Sequence, residues 1–307
     1  MAPAPSRSSS ASPPSTWIEL PRNVTNNILM RLGAEGMLSA QQVCCTWWNV
    51  CKDPIMWQVI DLSNPPSRKM NEGYAAMCQR AVDRSQGQLV ELTIDSFGHN
   101  ELINYIVNRS AANLKRLKLV SCIDISPPAL TEAVAKLGQL EELHLIMMPS
   151  ISSHDIVAIG NSCTKLRSFS LNSSKCGLYE DPFRCAEAIA TCMPNLHHLQ
   201  LIANEMRNEV LEAILDGCPC LESLDIRQCW HLHLGGDLGK RCREQIQDLR
   251  LPNDSVSDLP WFGRPAQWEC DDLFSDEDGF HGDYYCDNYF CANDEDDYDY
   301  DYYSDKS

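Results

Sequence analysis

The chain has 307 residues, a formal net charge of −18 and sixteen cysteines. Its length suits one or two domains. The acidic balance disfavours a nucleic-acid or anionic-membrane surface, either of which needs a basic face. No apolar run reaches about eighteen residues, so no spanning helix is expected. Met1 to Thr16 lacks the apolar stretch of a signal peptide. The cysteines are therefore expected as reduced thiols in the nucleus and/or cytoplasm. Cys218-Pro219-Cys220, and Cys44-Cys45 with Cys51, lack a second ligand pair, so no zinc and no other cofactor is expected.

Residues 1–15 are a Ser/Pro-rich lead with little to bury, expected to be disordered. Residues 16–62 change character. Pro21 suits the start of a helix, and Val24, Ile28, Leu29 and Leu32 come after it at helical spacing up to a stop at Gly33. A second helix is predicted over Met37 to Cys44 and a third over Thr46 to Lys52, broken by Asp53-Pro54 and followed by Trp57. Three such short helices carry more large apolar side chains than they can hide, so some should meet a partner. Residues 63–88 read as a linker with a turn at Asn64-Pro65-Pro66-Ser67. A helix over Tyr74 to Val82 then caps the leucine-rich stretch that begins at Leu89.

From Leu89 one phrase recurs seven times: Leu89-x-x-Leu92-x-Ile94, Leu114-x-x-Leu117-x-Leu119, Leu140-x-x-Leu143-x-Leu145, Leu166-x-x-Phe169-x-Leu171, Leu196-x-x-Leu199-x-Leu201, Leu221-x-x-Leu224-x-Ile226 and Ile246-x-x-Leu249-x-Leu251. The steps are 25, 26, 26, 30, 25 and 25 residues. A fixed period of this size marks a solenoid, and this phrase is the leucine-rich repeat. The alternation at the end of each phrase is that of a half-buried strand, and helical runs such as Ala129 to Ala135 lie between phrases. One unit cannot bury its apolar face alone, so the units over residues 89–255 must stack. The fold class is α/β: a leucine-rich-repeat solenoid of parallel strands and helices in a horseshoe arc, behind an all-α three-helix segment. Cys122, Asn204 and Cys229 each lie three residues past the last strand leucine, where the repeat favours Asn or Cys.

The phrase also sets out two rows of polar strand positions. Arg116, Glu142, Ser168, His198, Ser223 and Asp248 form one, and Lys118, His144, Ser170, Gln200, Asp225 and Arg250 the other. Arg116, Lys118, Glu142, His144, His198, Gln200, Asp225 and Arg250 are the candidate contacts for a protein substrate, or ordinary solvated strand faces. The long unit makes residues 172–183 either a contact loop or a tolerated surface loop. Asp258 to Gly263 and Trp268 either cover the open end of the array or form a docking motif. In residues 256–307 the acidic tail stands out: residues 271–307 hold fourteen acids and one Lys. Disorder is expected there, with solubility or an overlay of Arg116 and Lys118 as its role. No Gly-rich phosphate loop and no Gly-x-Ser-x-Gly is present, and no catalytic residue is assigned.

The residues Leu20-Pro21, Ile28-Leu29, Leu32, Val43-Cys44-x-x-Trp47, Asp53-Pro54 and Trp57 resemble an F-box. Residues 17–251 as a whole resemble plant F-box/leucine-rich-repeat proteins. Cys45 and Trp48 depart from the pattern, where basic residues are common. The resemblance implies a non-catalytic substrate receptor of an SCF-type ubiquitin ligase, bound through a Skp-family adaptor to a cullin–RING complex. It also implies an adaptor-facing surface at Leu20, Pro21, Ile28, Leu29 and Leu32, with Val43, Trp47 and Trp57 nearer the core. The alternative is a leucine-rich-repeat scaffold whose N-terminal helices are only a cap.

Overall fold

Eight parallel strands pair strictly in chain order. They are β1 Val59–Leu62, β2 Glu91–Asp95, β3 Arg116–Val120, β4 Glu142–Ile146, β5 Ser168–Asn172, β6 His198–Gln200, β7 Ser223–Asp225 and β8 Asp248–Arg250. This computed structural model describes residues 20–63, 71–149, 151–172 and 182–262. The expectations for the lead, for most of the loop at 172–183 and for the acidic tail lie outside them.

Three short helices come first: α1 Arg22–Met30, α2 Gly33–Ala40 and α3 Cys45–Cys51. Pro21 stands just outside α1, and its carbonyl accepts the N–H groups of Val24 and Thr25. Gly33 lies at φ 68°, a left-handed position open to glycine, and α2 begins on it rather than four residues later. A 3-10 turn, Pro54–Trp57, then leads into β1. Trp57 is fully buried and donates its indole N–H to the Cys51 carbonyl at 2.8 Å.

The seven helices behind are α4 Asn71–Ser85, α5 Asn100–Ser110, α6 Pro127–Val134, α7 Ser153–Ser162, α8 Pro182–Cys192, α9 Asn208–Gly217 and α10 Asp237–Gln245. Each lies between successive strands, so sheet and helices form two layers around one core. That core is continuous from Leu29 and Trp57 through the strand leucines to Ile246. The N-terminal helices therefore share their interior with the repeats.

Five of the repeats turn off their strands in the same way. Ser96, Ser121, Met147, Ala203 and Gln228 all have positive φ, from 50° to 73°, two residues past the last strand leucine or isoleucine. In three of them the next residue then bonds back to backbone. Cys122 Sγ meets the Val120 carbonyl at 3.3 Å, Asn204 donates to Leu171 at 2.9 Å, and Cys229 Sγ lies 3.0 Å from the Leu201 carbonyl. Cys122 Sγ also lies 3.8 Å from the Ile94 carbonyl, so in all three turns the small polar group reaches the carbonyl of the last strand leucine or isoleucine of the preceding repeat. This is the physical content of the Asn-or-Cys preference.

Candidate functional site

Two surfaces carry functional candidates. On the first, α1 divides its faces by spacing. Thr25 and Leu29, four residues apart, are buried. Val24 and Ile28, again four apart, share another face of α1, because residues at i and i+4 lie together on a helix; Leu20 precedes the helix and Leu32 follows it. Leu20 and Ile28 are half-buried, Pro21 is exposed, and Val24 and Leu32 are 37% and 48% exposed. Met30, Val43, Trp48 and Ile55 are exposed as well.

Two expectations are corrected here. Leu29 has no exposed area and belongs to the core, so it offers nothing to a partner. Val43, expected near the core, is 65% exposed because it sits in the turn between α2 and α3. Trp47 packs partly buried against the core, and Trp57 is buried in it. Trp48 fills the place of a basic residue, and basic groups come to it from elsewhere: Arg84 and Lys52 lie 4.7 and 5.0 Å from its ring.

The second surface is the sheet face turned away from the helices. The strands pair in a register that aligns both polar rows. Glu91, Arg116, Glu142, Ser168, His198, Ser223 and Asp248 are successive partners, as are Thr93, Lys118, His144, Ser170, Gln200, Asp225 and Arg250. Arg116 is held by Glu91 at 2.8 Å, and this bond favours its charged form. His144 Nδ1 lies 2.7 Å from Ser170 Oγ, and its Nε2 is 3.6 Å from Glu142. Burial holds the His144 pKa below the ordinary imidazole value despite that carboxylate. His198 and Arg250 are exposed, and Arg250 faces Asp248 at 3.6 Å.

Gln200 and Asp225 are less available than their row positions suggest. Asn172 donates to Gln200 at 2.9 Å, and Gln200 donates to Asp225 at 3.1 Å. Arg227 then grips Asp225 through Nε at 2.9 Å and Nη2 at 2.7 Å. Asp225 is only 8% exposed, so its carboxylate is structural rather than a free contact.

Sequence reasoning missed what Arg227 does next. Its Nη1 donates to the Ser255 carbonyl and to the Asp258 carboxylate, tying residues 251–262 onto the sheet. Trp261 there forms an apolar cluster with Val120, Ile146, Met147 and Ile202, flanked by Leu259 and Phe262. These residues were expected to cover the end of the array or to serve as a docking motif. Asp258 to Phe262 instead cross the open sheet face beside the strand ends, because Val120, Ile146 and Ile202 put apolar groups where the neighbouring rows are polar. Gly263 and Trp268 lie outside the described residues. The signal was the apolar residue directly after the strand leucine in three phrases.

Comparison with known proteins agrees with this architecture. No family model matches the chain. Putative F-box/LRR-repeat protein 23 of Arabidopsis thaliana is 47% identical over 247 residues, covering 78% of this chain and 54% of that protein. F-box protein SKIP19 of the same plant is 42% identical over 290 residues, covering 90% of this chain and 94% of the relative. The chain belongs to the plant F-box/leucine-rich-repeat proteins. Another such relative, putative F-box/LRR-repeat protein 22, is 44% identical over 250 residues, with 80% of each chain covered. The chain thus spans about half the length of the first relative and nearly all of the second. In this F-box/leucine-rich-repeat chain the helical module and the repeats share one core, so the two surfaces are held on one continuous body.

Proposed function

We propose that this chain is the substrate-recognition subunit of an SCF-type ubiquitin ligase. Its helical module docks on a Skp-family adaptor, and the open face of the repeats holds the protein to be modified. The observation that carries this is the exposed side of α1 and its flanks: Leu20, Val24, Ile28 and Leu32 stay accessible while Thr25 and Leu29 fill the core. Pro21 begins the helix beside them. Apolar side chains left at one edge of so small a module fit a helical partner. The chain then acts by proximity: it raises the local concentration of its client near the transfer machinery, and the transfer chemistry belongs to the RING partner and its conjugating enzyme.

The shared core favours a second reading, a scaffold whose front helices only cap the repeats. Deleting residues 1–62 does not separate the two, because it also removes β1 and uncovers β2. Surface substitutions do. The chain is co-expressed with a Skp-family adaptor and purified through it. Leu20→Ala, Pro21→Ala and Ile28→Asp together should abolish co-purification while circular dichroism stays unchanged, since interface anchors commonly contribute about 2 kcal/mol or more each. A folded triple variant that still co-purifies, or a wild type that never does, favours the scaffold.

A further inference from the structure

The segment over the sheet does not close the open face; it makes a trough of it. Asp258, Leu259 and Trp261 stand along the strand ends as one wall. The two aligned polar rows are the floor, running from Glu91 on β2 to Arg250 on β8. Crossing these seven strands at about 4.8 Å per step spans roughly 29 Å, the length of about nine residues of extended chain. The wall is fixed by Trp261, 5% exposed, and by the buried Arg227 that holds Asp258. The floor is polar throughout, which suits a segment that brings hydrogen-bonding groups rather than an apolar helix face.

Charge adds a direction. Among the described Lys and Arg side chains that line the trough, Arg116 is paired with Glu91, Arg250 with Asp248, and Arg227 with Asp225 and Asp258. Lys118, half-buried between Thr93 and His144, has no anionic partner among the described residues. Glu91, Glu142 and Asp258 line the same pocket, but none of them makes an ion pair with Lys118, so its ammonium is the cation there still open to a charge-assisted bond with an incoming carboxylate.

We propose that clients are read as one extended segment of about nine residues lying across the strands in this trough, with a carboxylate side chain of that segment on Lys118. This deepens the receptor reading and rests on it. The wall is then part of the recognition surface, and Lys118 is its specificity-determining residue.

The test uses the full chain purified with its adaptor, and the probe is a phage-displayed library of random linear twelve-residue peptides. The same diversity carried on a helical scaffold serves as comparator. Lys118→Glu is set beside Lys136→Glu, an equal charge change just past α6. Wild type and Lys136→Glu should enrich linear peptides with Asp or Glu at one recurrent position. Lys118→Glu should bind those peptides at least tenfold more weakly. Equal binding by Lys118→Glu, preference for the helical library, or no enrichment from either library overturns the proposal. Adaptor co-elution is scored separately for each variant. Its loss in the wild type speaks against the receptor reading, and its retention beside a failed peptide result speaks against the trough alone.

Discussion

Arg227, two residues past β7, holds the Asp258 carboxylate, while its other nitrogens close a fork on Asp225. The two carboxylates favour the charged guanidinium, and Arg227 in turn holds the Asp258 pKa below the usual carboxylate value. Asp225 is buried and Asp258 is largely exposed, so the two ends of the pair have unequal weight.

Replacing Arg227 by Ala should therefore be severe. It leaves the Asp225 charge buried with only neutral donors, Gln200 and the backbone N–H of residue 227, to bond it, and breaking a buried pair from one side costs about 3–5 kcal/mol. Arg227→Lys should recover only part of this, because an ammonium cannot make the two-pronged contact. Asp258→Asn should lower stability least, since water screens an exposed partner. Urea midpoints of the three variants give the order, and equal midpoints for Arg227→Ala and Asp258→Asn would contradict it.

The edge and the core of α1 can be told apart by mutation. Leu29→Ala should lower stability by about 2–5 kcal/mol through lost burial and a residual cavity. Leu32→Ala, 48% exposed, should stay within about 0.5 kcal/mol. Adaptor retention should show the reverse: Leu32→Ala weakens it in a folded protein. If Leu32→Ala unfolds the chain as readily as Leu29→Ala, the edge is not a free surface.

Much of this fold is legible in the sequence, and the failures have physical causes. The seven phrases place β2 to β8, because a period near 25 residues and a period-two alternation leave little choice of register. An eighth strand escaped because Trp57 stands for the leading leucine in Trp57-x-x-Ile60-x-Leu62, yet β1 pairs with β2 in the same register. Ile28 and Leu29 are adjacent and both apolar, so helical spacing alone did not say which faces inward; packing of α1 against its neighbours decides it. The segment over the sheet went unplaced because contacts such as Trp261 with Val120 join residues far apart in the chain. Val120, Ile146 and Ile202 were nevertheless visible as apolar residues breaking the alternation.

Alkaline pH should destabilise the fold through its thiols. Burial pushes Cys78, Cys122 and Cys229 up to about 12, and Cys163 and Cys218 to about 11, from an ordinary value of 9.0. Below pH 9 these thiols are protonated in both folded and unfolded chains, so the fold loses nothing. Above it the unfolded chain releases protons first, and stability falls as pH rises toward the folded values. Urea midpoints from pH 8 to 10.5 should drop, and a Cys122→Ala, Cys229→Ala double variant should drop less steeply. Parallel pH profiles for the two proteins would show that these thiols do not drive the loss.

Trp261→Ala should release the wall of the trough without unfolding the repeats. A buried aromatic cut to Ala costs about 3–5 kcal/mol when the surroundings stay in place. This segment has a cheaper response, because among the described residues its only chain connection to the repeats is through β8 and it can leave the sheet locally. Val120, Ile146 and Ile202 then become wet. The amides of Leu259 and Phe262, which donate to the Val256 and Leu259 carbonyls, should lose their protection against hydrogen exchange. The Leu117 and Leu143 amides, within the paired strands, should keep theirs. Arg227→Ala should expose the same two amides by removing the other anchor. If both variants leave Leu259 and Phe262 protected, neither side chain holds the segment, and its hold on the sheet comes from elsewhere.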